Sequence, residues 1–492
     1  MKLVNREQFL DLIEKDSQKN HYDKANLLLS AALGMFEEIT KNKIDEVLIV
    51  CGNNASGDIG LLLADLLVKK SSVRVEIAHF TIENSKYQKK IEEDNIFVYS
   101  SLRDIKRVVE RANFIVDCIA GSEQNERIAY PYDLFIEWIN NSGAFVLSCD
   151  VPSGLDVDNG AVLGACVQAN ESFCLQLPKL GMYLYPGNTY CGKIILENIG
   201  ISQESIENLL CQHHISEYND VKKKLPVRVA HSHKGTYGKV LLVAGHENTV
   251  GASVLCGKTI MKTGAGLLTI LSYKEVIDVY KVSLPEAMTI TLEDNIIYQL
   301  EHFDFSRFDL IVIGPGLSRD KKTEILLQYV LRTDKNVLID ADGLYYLKNN
   351  LELLKRDKLT VITPHLVEYQ RIFDYDASRI LTDLSAILKI YQNLVIVLKS
   401  ENTIVAYRDK VNINTCGNNA LAKGGSGDVL AGCISGFLAQ RADYDSVVVG
   451  VFVHSKAADY WVKDHSHYSL LASDLIDCID KVLFEMTNEE KR

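Results

Sequence analysis

Asn414-Thr415-Cys416-Gly417-Asn418-Asn419-Ala420-Leu421-Ala422-Lys423-Gly424-Gly425-Ser426-Gly427-Asp428-Val429-Leu430-Ala431-Gly432 decides how the second half of this chain reads. Three glycines surround Ser426, and Asp428 then opens an apolar run of helical character. Small residues let backbone N–H groups approach an anion, and a helix N-terminus adds a favourable dipole. An Asp in that first turn stands beside the anion, placed to take a proton from an attacking hydroxyl. Read alone, the stretch is equally a loop with an Asp cap. Its surroundings separate the two readings.

Ile313-Gly314-Pro315-Gly316-Leu317, Ile339-Asp340-Ala341-Asp342-Gly343-Leu344, Ile362-Thr363-Pro364-His365-Leu366-Val367-Glu368 and Leu398-Lys399-Ser400-Glu401-Asn402-Thr403 each end a predicted strand. His233-Lys234-Gly235-Thr236-Tyr237-Gly238-Lys239, Val250-Gly251-Ala252 and Leu284-Pro285-Glu286-Ala287-Met288 come earlier. Strands are expected at Val240–Gly245, Leu267–Ser272, Leu310–Gly314, Val337–Asp340, Thr360–Thr363 and Val395–Lys399. The first half repeats the pattern at Val47–Gly52, Val73–Phe80, Phe114–Gly121, Phe145–Pro152 and Ser172–Leu177. Most are nearly continuous apolar runs alternating with longer amphipathic segments, as in a mostly parallel sheet buried on both faces. Ligands of such sheets bind at the carboxyl ends of the strands. Prolines cluster there in each half, so two sites are expected.

The 492 residues accommodate two large α/β domains. The polar stretch from Gln212 through Lys224 lacks an apolar period, and the division is placed at 1–214 and 215–492. Lys+Arg 53 against Asp+Glu 65 gives a net charge of −12, which argues against nucleic acid as a main partner. Small anions remain accessible to local backbone N–H groups. The N-terminus lacks a signal-peptide core, and the longest apolar stretch, Leu27 to Phe36, is interrupted by Ser30. That falls short of the roughly 20 apolar residues of a membrane span. Eleven scattered cysteines without a C-x-x-C pair fit free thiols in a reducing compartment. A cytoplasmic protein is expected.

Three stretches of the first half carry polar chemistry. Val47-Leu48-Ile49-Val50-Cys51-Gly52-Asn53-Asn54-Ala55-Ser56-Gly57-Asp58-Ile59-Gly60 is a strand, a small-residue turn and a helix start, able to hold a diphosphate on backbone amides. Ile115-Val116-Asp117-Cys118-Ile119-Ala120-Gly121 and Ser148-Cys149-Asp150-Val151-Pro152-Ser153-Gly154-Leu155-Asp156 place acids near strand ends. Carboxylate and hydroxyl oxygens there suit a monovalent cation. Singly, each Asp also reads as a turn former or helix cap.

Together, the motifs of residues 225–480 closely resemble the ADP-dependent NAD(P)H-hydrate dehydratase family, a branch of the ribokinase-like fold. The resemblance implies repair of NADH or NADPH whose nicotinamide ring has added water: a nucleotide phosphorylates the ring hydroxyl and phosphate elimination restores the ring. By resemblance, Asp428 is the base and Gly424, Gly425 and Gly427 form the anion hole. Lys399, Ser400, Glu401, Asn402 and Thr403 contact the nucleotide, while Ala252, Gly316 and His365 line the hydrate pocket. ADP (or ATP) with Mg2+ is the implied donor. A small-molecule kinase of the same fold is the alternative, separable by its stable phosphoester product.

The first-half stretches, with Pro178-Lys179-Leu180-Gly181, Pro186-Gly187-Asn188 and Glu197-Asn198-Ile199-Gly200-Ile201, look like the NAD(P)H-hydrate epimerase family, which interconverts the two hydrate epimers. The resemblance implies K+ on Asn54, Asp117 and Ser153, hydrate against Asn54, Gly57, Asp58, Gly121 and Asp150, and Asp150 as the acid/base group. The implied architecture is two three-layer α/β/α domains, an N-terminal Rossmann-like and a C-terminal ribokinase-like one, in a homo-oligomer. The family's first loop reads Gly-x-Gly-Asn-Asn-Gly-Gly-Asp-Gly. Here Ala55 falls on an Asn position when Gly57-Asp58 are aligned, or one residue is extra when Gly52-Asn53-Asn54 are. Ser122-Glu123-Gln124-Asn125-Glu126 adds acids near an anionic substrate. Two readings of the first half stay open: an epimerase, impaired or not, and a silent binding or assembly module.

Overall fold

The computed structural model describes residues 1–42, 44–80, 87, 91, 96–374 and 380–488. Two compact units divide the chain: Lys2–His213, and His214–Arg492 together with Met1.

The first unit is built on seven parallel strands: β1 (Glu46–Cys51), β2 (Arg74–His79), β3 (Phe97–Tyr99), β4 (Phe114–Cys118), β5 (Phe145–Cys149), β6 (Glu171–Leu175) and β7 (Lys193–Glu197). They lie in the order β3-β2-β1-β4-β5-β6-β7. Successive side chains of a strand point to opposite faces, and β1 shows the consequence. Val47, Ile49 and Cys51 enter one core with the helices Lys24–Lys41 and Ala55–Lys70, whereas Leu48 and Val50 enter another with Leu102–Arg111 and Tyr132–Ser142. Both faces are covered, which makes three layers. The chain leaves β1 toward β2 and returns to β4 on its other side, so a crevice opens between the carboxyl ends of β1 and β4.

Among the described residues the sheet of the second unit includes β8 (Lys239–Val243), β9 (Leu267–Ser272), β10 (Met288–Thr291), β11 (Leu310–Ile313), β12 (Asn336–Ile339), β13 (Thr360–Ile362), β14 (Leu394–Leu398), β15 (Thr403–Tyr407) and β16 (Lys410–Asn414). Their order is β16-β15-β14-β13-β12-β11-β8-β9-β10. β8 to β14 run parallel, and β15 and β16 add an antiparallel hairpin. One face packs on the helices Val250–Lys262, Ser426–Gln440, Tyr444–Trp461 and Ala472–Asn488. Leu241, Val243, Ile311 and Ile313, on the other face, are equally buried. The crevice here opens between β8 and β11, where Gly245 N–H donates to Pro315 O at 3.0 Å.

The helix after the glycine motif is held close to its neighbour by small residues. A Cβ on Gly432 would stand 2.5 Å from Cys256 O, and one on Gly436 would stand 1.9 Å from Thr263 Oγ1. Ser426–Gln440 therefore packs backbone to backbone on Val250–Lys262, which fixes where its N-terminus points. No described helix is long and apolar enough to cross a membrane, and the eleven cysteines are free thiols, nine of them buried.

Candidate functional site

In the second unit the glycine motif turns into the helix at Gly425, whose φ of 92° is left-handed backbone that glycine adopts without strain. Ser426, Gly427 and Asp428 form the first turn, where N–H groups lack intrahelical partners. A Cβ on Gly424 would meet nothing within 4 Å, and one on Gly427 would meet Lys399 Nζ alone, at 3.7 Å. The cradle is open at Gly424 and Gly427, with the ammonium beside Gly427, whereas a Cβ on Gly425 would stand 2.8 Å from that of Ala472.

That ammonium belongs to a charged row at the strand ends. Lys399, after β14, donates to Asp340 Oδ1 at 3.0 Å and lies 3.9 Å from Glu368 Oε2. Burial pulls the Lys399 ammonium toward neutrality, but Asp340 and Glu368 outweigh it and the net shift is upward. Burial first, then the Asp340 charge, push Asp428 up from 3.8 to about 7, and Lys399 partly opposes them. A carboxyl that titrates near neutrality is matched to proton abstraction. Asp342 accepts from Ser318 N–H at 2.9 Å and Arg319 Nε at 3.1 Å.

Gly316, with φ of 63°, seats itself on the turn before Val250–Lys262, where Thr249 Oγ1 donates to its carbonyl at 2.8 Å. Its Cβ would lie 3.2 Å from that of Ala252, so these two predicted pocket residues are neighbours. His365 caps the helix Leu366–Phe373: its Nδ1 accepts from Glu368 N–H at 3.2 Å, and Glu368 Oε2 accepts from His365 N–H at 2.9 Å. The ring is 52% exposed, open toward solvent.

Beside the cradle lies a cavity of about 570 Å³. Lys399, Ser400, Glu401, Asn402, Thr403 and Gly427 line it, which brings most of the predicted nucleotide set together; Gly424 and Gly425 stand outside its lining. Thr415 to Asn419 and Leu430 complete one wall, and His454 and Ser455 another. The last two were not singled out from the sequence, because they lie in the middle of the apolar helix Tyr444–Trp461 without a motif around them. His454 Nε2 donates to Ser426 O at 3.0 Å, and burial holds its imidazole down at about 4, so it is neutral. Asp459 of the same helix accepts from Gly417 N–H at 3.3 Å and Asn418 Nδ2 at 3.1 Å, which fixes the cavity wall.

The first unit carries its own cavity, of about 490 Å³, at the crevice between β1 and β4. Asn54, Gly121 and Asp150 line it. Gly57 and Asp58 lie in the first helical turn behind the lining, where a Cβ on Gly57 would strike Gly52 O at 1.9 Å. Asn54 caps Ala55–Lys70, accepting from Gly57 N–H at 3.1 Å, and donates to Ile119 O at 2.6 Å. Asp117 is wholly buried and accepts from Ser153 Oγ at 2.6 Å, Ser153 N–H at 2.9 Å and Ser148 Oγ at 2.9 Å. Burial nonetheless pushes its carboxyl up. Ser153 Oγ also accepts from Ala120 N–H at 2.8 Å. The three predicted K+ residues are thus joined through the Asp117–Ala120 segment.

Asp150 sits at φ 65° and pairs with Lys179, a wholly buried side chain that also donates to Leu175 O at 2.8 Å and stands 3.8 Å from the Phe9 ring centre. Lys179 was quoted in a motif without a role; a Lys after a strand reads as surface until its carboxylate partner is seen. Phe9, Leu10, Ile13, Leu27 and Leu28 give the cavity an apolar wall. Arg6, donating to Ser122 O at 3.2 Å and paired with Asp158 at 3.3 Å, ties down the loop that carries Glu123.

Comparison with known proteins addresses both units. Residues 240–481 match a family model described as NAD(P)H-hydrate dehydratase, and residues 24–181 match the YjeF-related protein N-terminus. A bifunctional NAD(P)H-hydrate repair enzyme of Coxiella burnetii is 31% identical over 445 residues, 87% of this chain and 88% of that one. A protein of the same name from Moorella thermoacetica is 30% identical over 498 residues, 94% and 93% of the two chains. A crystal structure of a ribokinase-like superfamily protein from Enterococcus faecalis covers 57% of this chain and 98% of its own, with TM-score 0.51 and 26% identity. The two α/β units are accordingly Rossmann-like and ribokinase-like, and the chain belongs to the family of bifunctional NAD(P)H-hydrate repair enzymes.

Proposed function

We propose that this chain repairs hydrated NADH and NADPH, each half carrying one reaction. In the second half Asp428 takes the proton of the ring hydroxyl of the S hydrate while the hydroxyl oxygen attacks the terminal phosphoryl of ADP (or ATP), whose bridging P–O bond breaks to release AMP (or ADP). Elimination of phosphate then restores the dihydronicotinamide. The observation that carries this reading is a carboxyl near neutrality in the first turn of Ser426–Gln440, beside an open glycine cradle under Lys399. The first turn's N–H groups face an anion without side chains in the way. Lys399 to Thr403, Gly424, Gly425 and Gly427 hold the nucleotide, and Ala252, Gly316 and His365 hold the hydrated ring. Mg2+ would enter with the nucleotide, held chiefly by its phosphates.

In the first half Asp150 is the acid/base group that interconverts the R and S hydrates, its charge stabilised by Lys179. Asn54, Gly57, Asp58 and Gly121 surround the hydrate. Asn54, Asp117 and Ser153 offer only oxygen donors, which suit K+, and a cation there would offset the burial of the Asp117 carboxylate. Free, mostly buried thiols support a cytoplasmic location; homo-oligomeric assembly is checked by light scattering.

The test supplies separated hydrate epimers with ADP or ATP, and follows nicotinamide absorbance together with free phosphate. Recovery of absorbance with one phosphate released per turnover is expected, with the R epimer consumed at a rate set by the first half. A stable phosphoester without recovered absorbance would overturn the dehydratase reading and leave a kinase. Consumption of the S epimer alone would make the first half a binding module.

A further inference from the structure

Asp340 and Asp342 after β12, Glu368 after β13 and Asp428 in the first turn of Ser426–Gln440 are set against one ammonium, Lys399. An anionic dinucleotide meets net repulsion there unless further cations stand nearby. Two do. The Arg319 guanidinium carbon lies 4.9 Å from the centre of the Tyr345 ring, and that of Arg371 lies 4.9 Å from the same centre. Tyr345 is 40% exposed. Arg319 Nε donates to Asp342 Oδ1 at 3.1 Å, and its side chain is 56% exposed. Its terminal amino groups have no partner among the described residues. Arg371 holds two buried N–H groups, at Nε and Nη2, that no described residue accepts.

We propose that Arg319, which shares the Tyr345 ring with Arg371, binds the diphosphate of the dinucleotide hydrate. Stacking and the Asp342 bond fix the plane of the Arg319 fork and leave its outer edge to solvent, the geometry that takes a phosphate bidentately. The platform adjoins the residues assigned to the hydrated ring. Arg319 lies three residues after Gly316, and Arg371 rides the helix that His365 caps. A dinucleotide extends from its nicotinamide through ribose to diphosphate, so cations bordering the ring pocket are where that chain of atoms leads. The cavity walled by His454 and Ser455 is left to the phosphoryl donor.

This rests on the dehydratase reading, and the test separates the two. The full-length protein and its Arg319→Gln and Arg319→Lys variants are assayed with S-NADH hydrate and ADP. The same enzymes are assayed with hydrated, reduced nicotinamide riboside, which lacks both phosphates. Arg319→Gln should raise KM for the dinucleotide hydrate about tenfold, the effect of one lost charge-assisted hydrogen bond. Arg319→Lys should restore part of it, KM for ADP should not follow, and the penalty should vanish with the riboside. Unchanged KM for the dinucleotide in Arg319→Gln, an equal penalty with the riboside, or a loss confined to KM for ADP would overturn the proposal and leave the dehydratase reading intact. Failure of the unmutated protein to restore absorbance from either hydrate would instead overturn that reading, and this proposal with it.

Discussion

Asp340→Asn is the perturbation whose outcome the charged row dictates most closely. Asp428 stands at about 7 instead of 3.8, raised by burial first, by Asp340 second, and lowered by Lys399. The whole displacement corresponds to about 4 kcal/mol between the two protonation states. Burial takes the larger share, which leaves the Asp340 charge a contribution on the order of one pH unit. Asn at 340 keeps the shape and removes the charge. It also frees Lys399 from a 3.0 Å partner and leaves that cation to the remaining carboxylates, which moves Asp428 in the same direction. Because the base works ionised, kcat/KM of the unmutated protein should fall as pH drops below about 7. In Asp340→Asn that limb should move down by on the order of one pH unit. Lys399→Met should move it the other way, beneath its overall loss of nucleotide binding. The assay is the pH profile of absorbance recovery from the S hydrate at saturating ADP. An acidic limb that stays put in Asp340→Asn, or moves up, would refute the reasoning.

The raised carboxyl also has a stability consequence. Its folded value lies above the unfolded one, so ionising it costs folding free energy as pH rises from about 4 to about 7. Asp428→Asn should therefore be more stable than the unmutated protein at pH 8, by about 2 kcal/mol after allowance for its partial exposure, and no more stable near pH 4. Urea unfolding at both values checks this. In the first unit, Asp150→Asn leaves the buried Lys179 ammonium without its carboxylate, and should destabilise that unit by about 3–5 kcal/mol. Trp138 fluorescence during urea unfolding in a Trp461→Phe background reads this directly. Of eleven thiols only Cys211 and Cys416 are partly accessible, so a thiol reagent should modify at most two in the folded protein. Cys416 should react slowly, its thiol pushed up to about 11 by burial, and more slowly still with ADP bound, because it lines the cavity at the cradle.

The strands that sit inside the two sheets were legible in the sequence because burial on both faces makes them continuous apolar runs: Val47–Cys51, Val240–Val243 and Leu310–Ile313 have no other reading. Phe97–Tyr99, Lys193–Glu197 and Met288–Thr291 were not, since they close sheets at an edge and carry polar or exposed residues on one face. The hairpin Thr403–Tyr407/Lys410–Asn414 escaped for a different reason. Its turn places Arg408 at φ 55°, a conformation usually signalled by Gly or Asn. Strands expected to run to Gly121 and Pro152 end at Cys118 and Cys149, because there the backbone leaves the ladder to offer its groups to the Asp117, Asp150 and Ser153 cluster.

The predicted site residues divide in a similar way. Lys399 and Gly316 sit in short motifs after strands and Asp428 follows a glycine motif into a helix, places where a small or charged residue has few structural reasons to be. His454, Ser455 and Asp459 sit within one helix, and their part in the cavity wall arises only because Gly432 and Gly436 let Ser426–Gln440 settle where it does. Lys179 and Arg319 owe their significance to partners 29 and 23 residues away, Asp150 and Asp342, a pairing that local spacing does not encode.

The central claim is that the Asp428 carboxylate removes a proton from the hydrate's ring hydroxyl. Its most direct measurement compares single-turnover absorbance recovery in the unmutated protein and Asp428→Asn, with ADP affinity measured alongside. The account predicts a rate lower by roughly 10²–10⁴-fold in Asp428→Asn with ADP affinity within a few-fold of the original. Recovery at a comparable rate would contradict it and move the base elsewhere in the row.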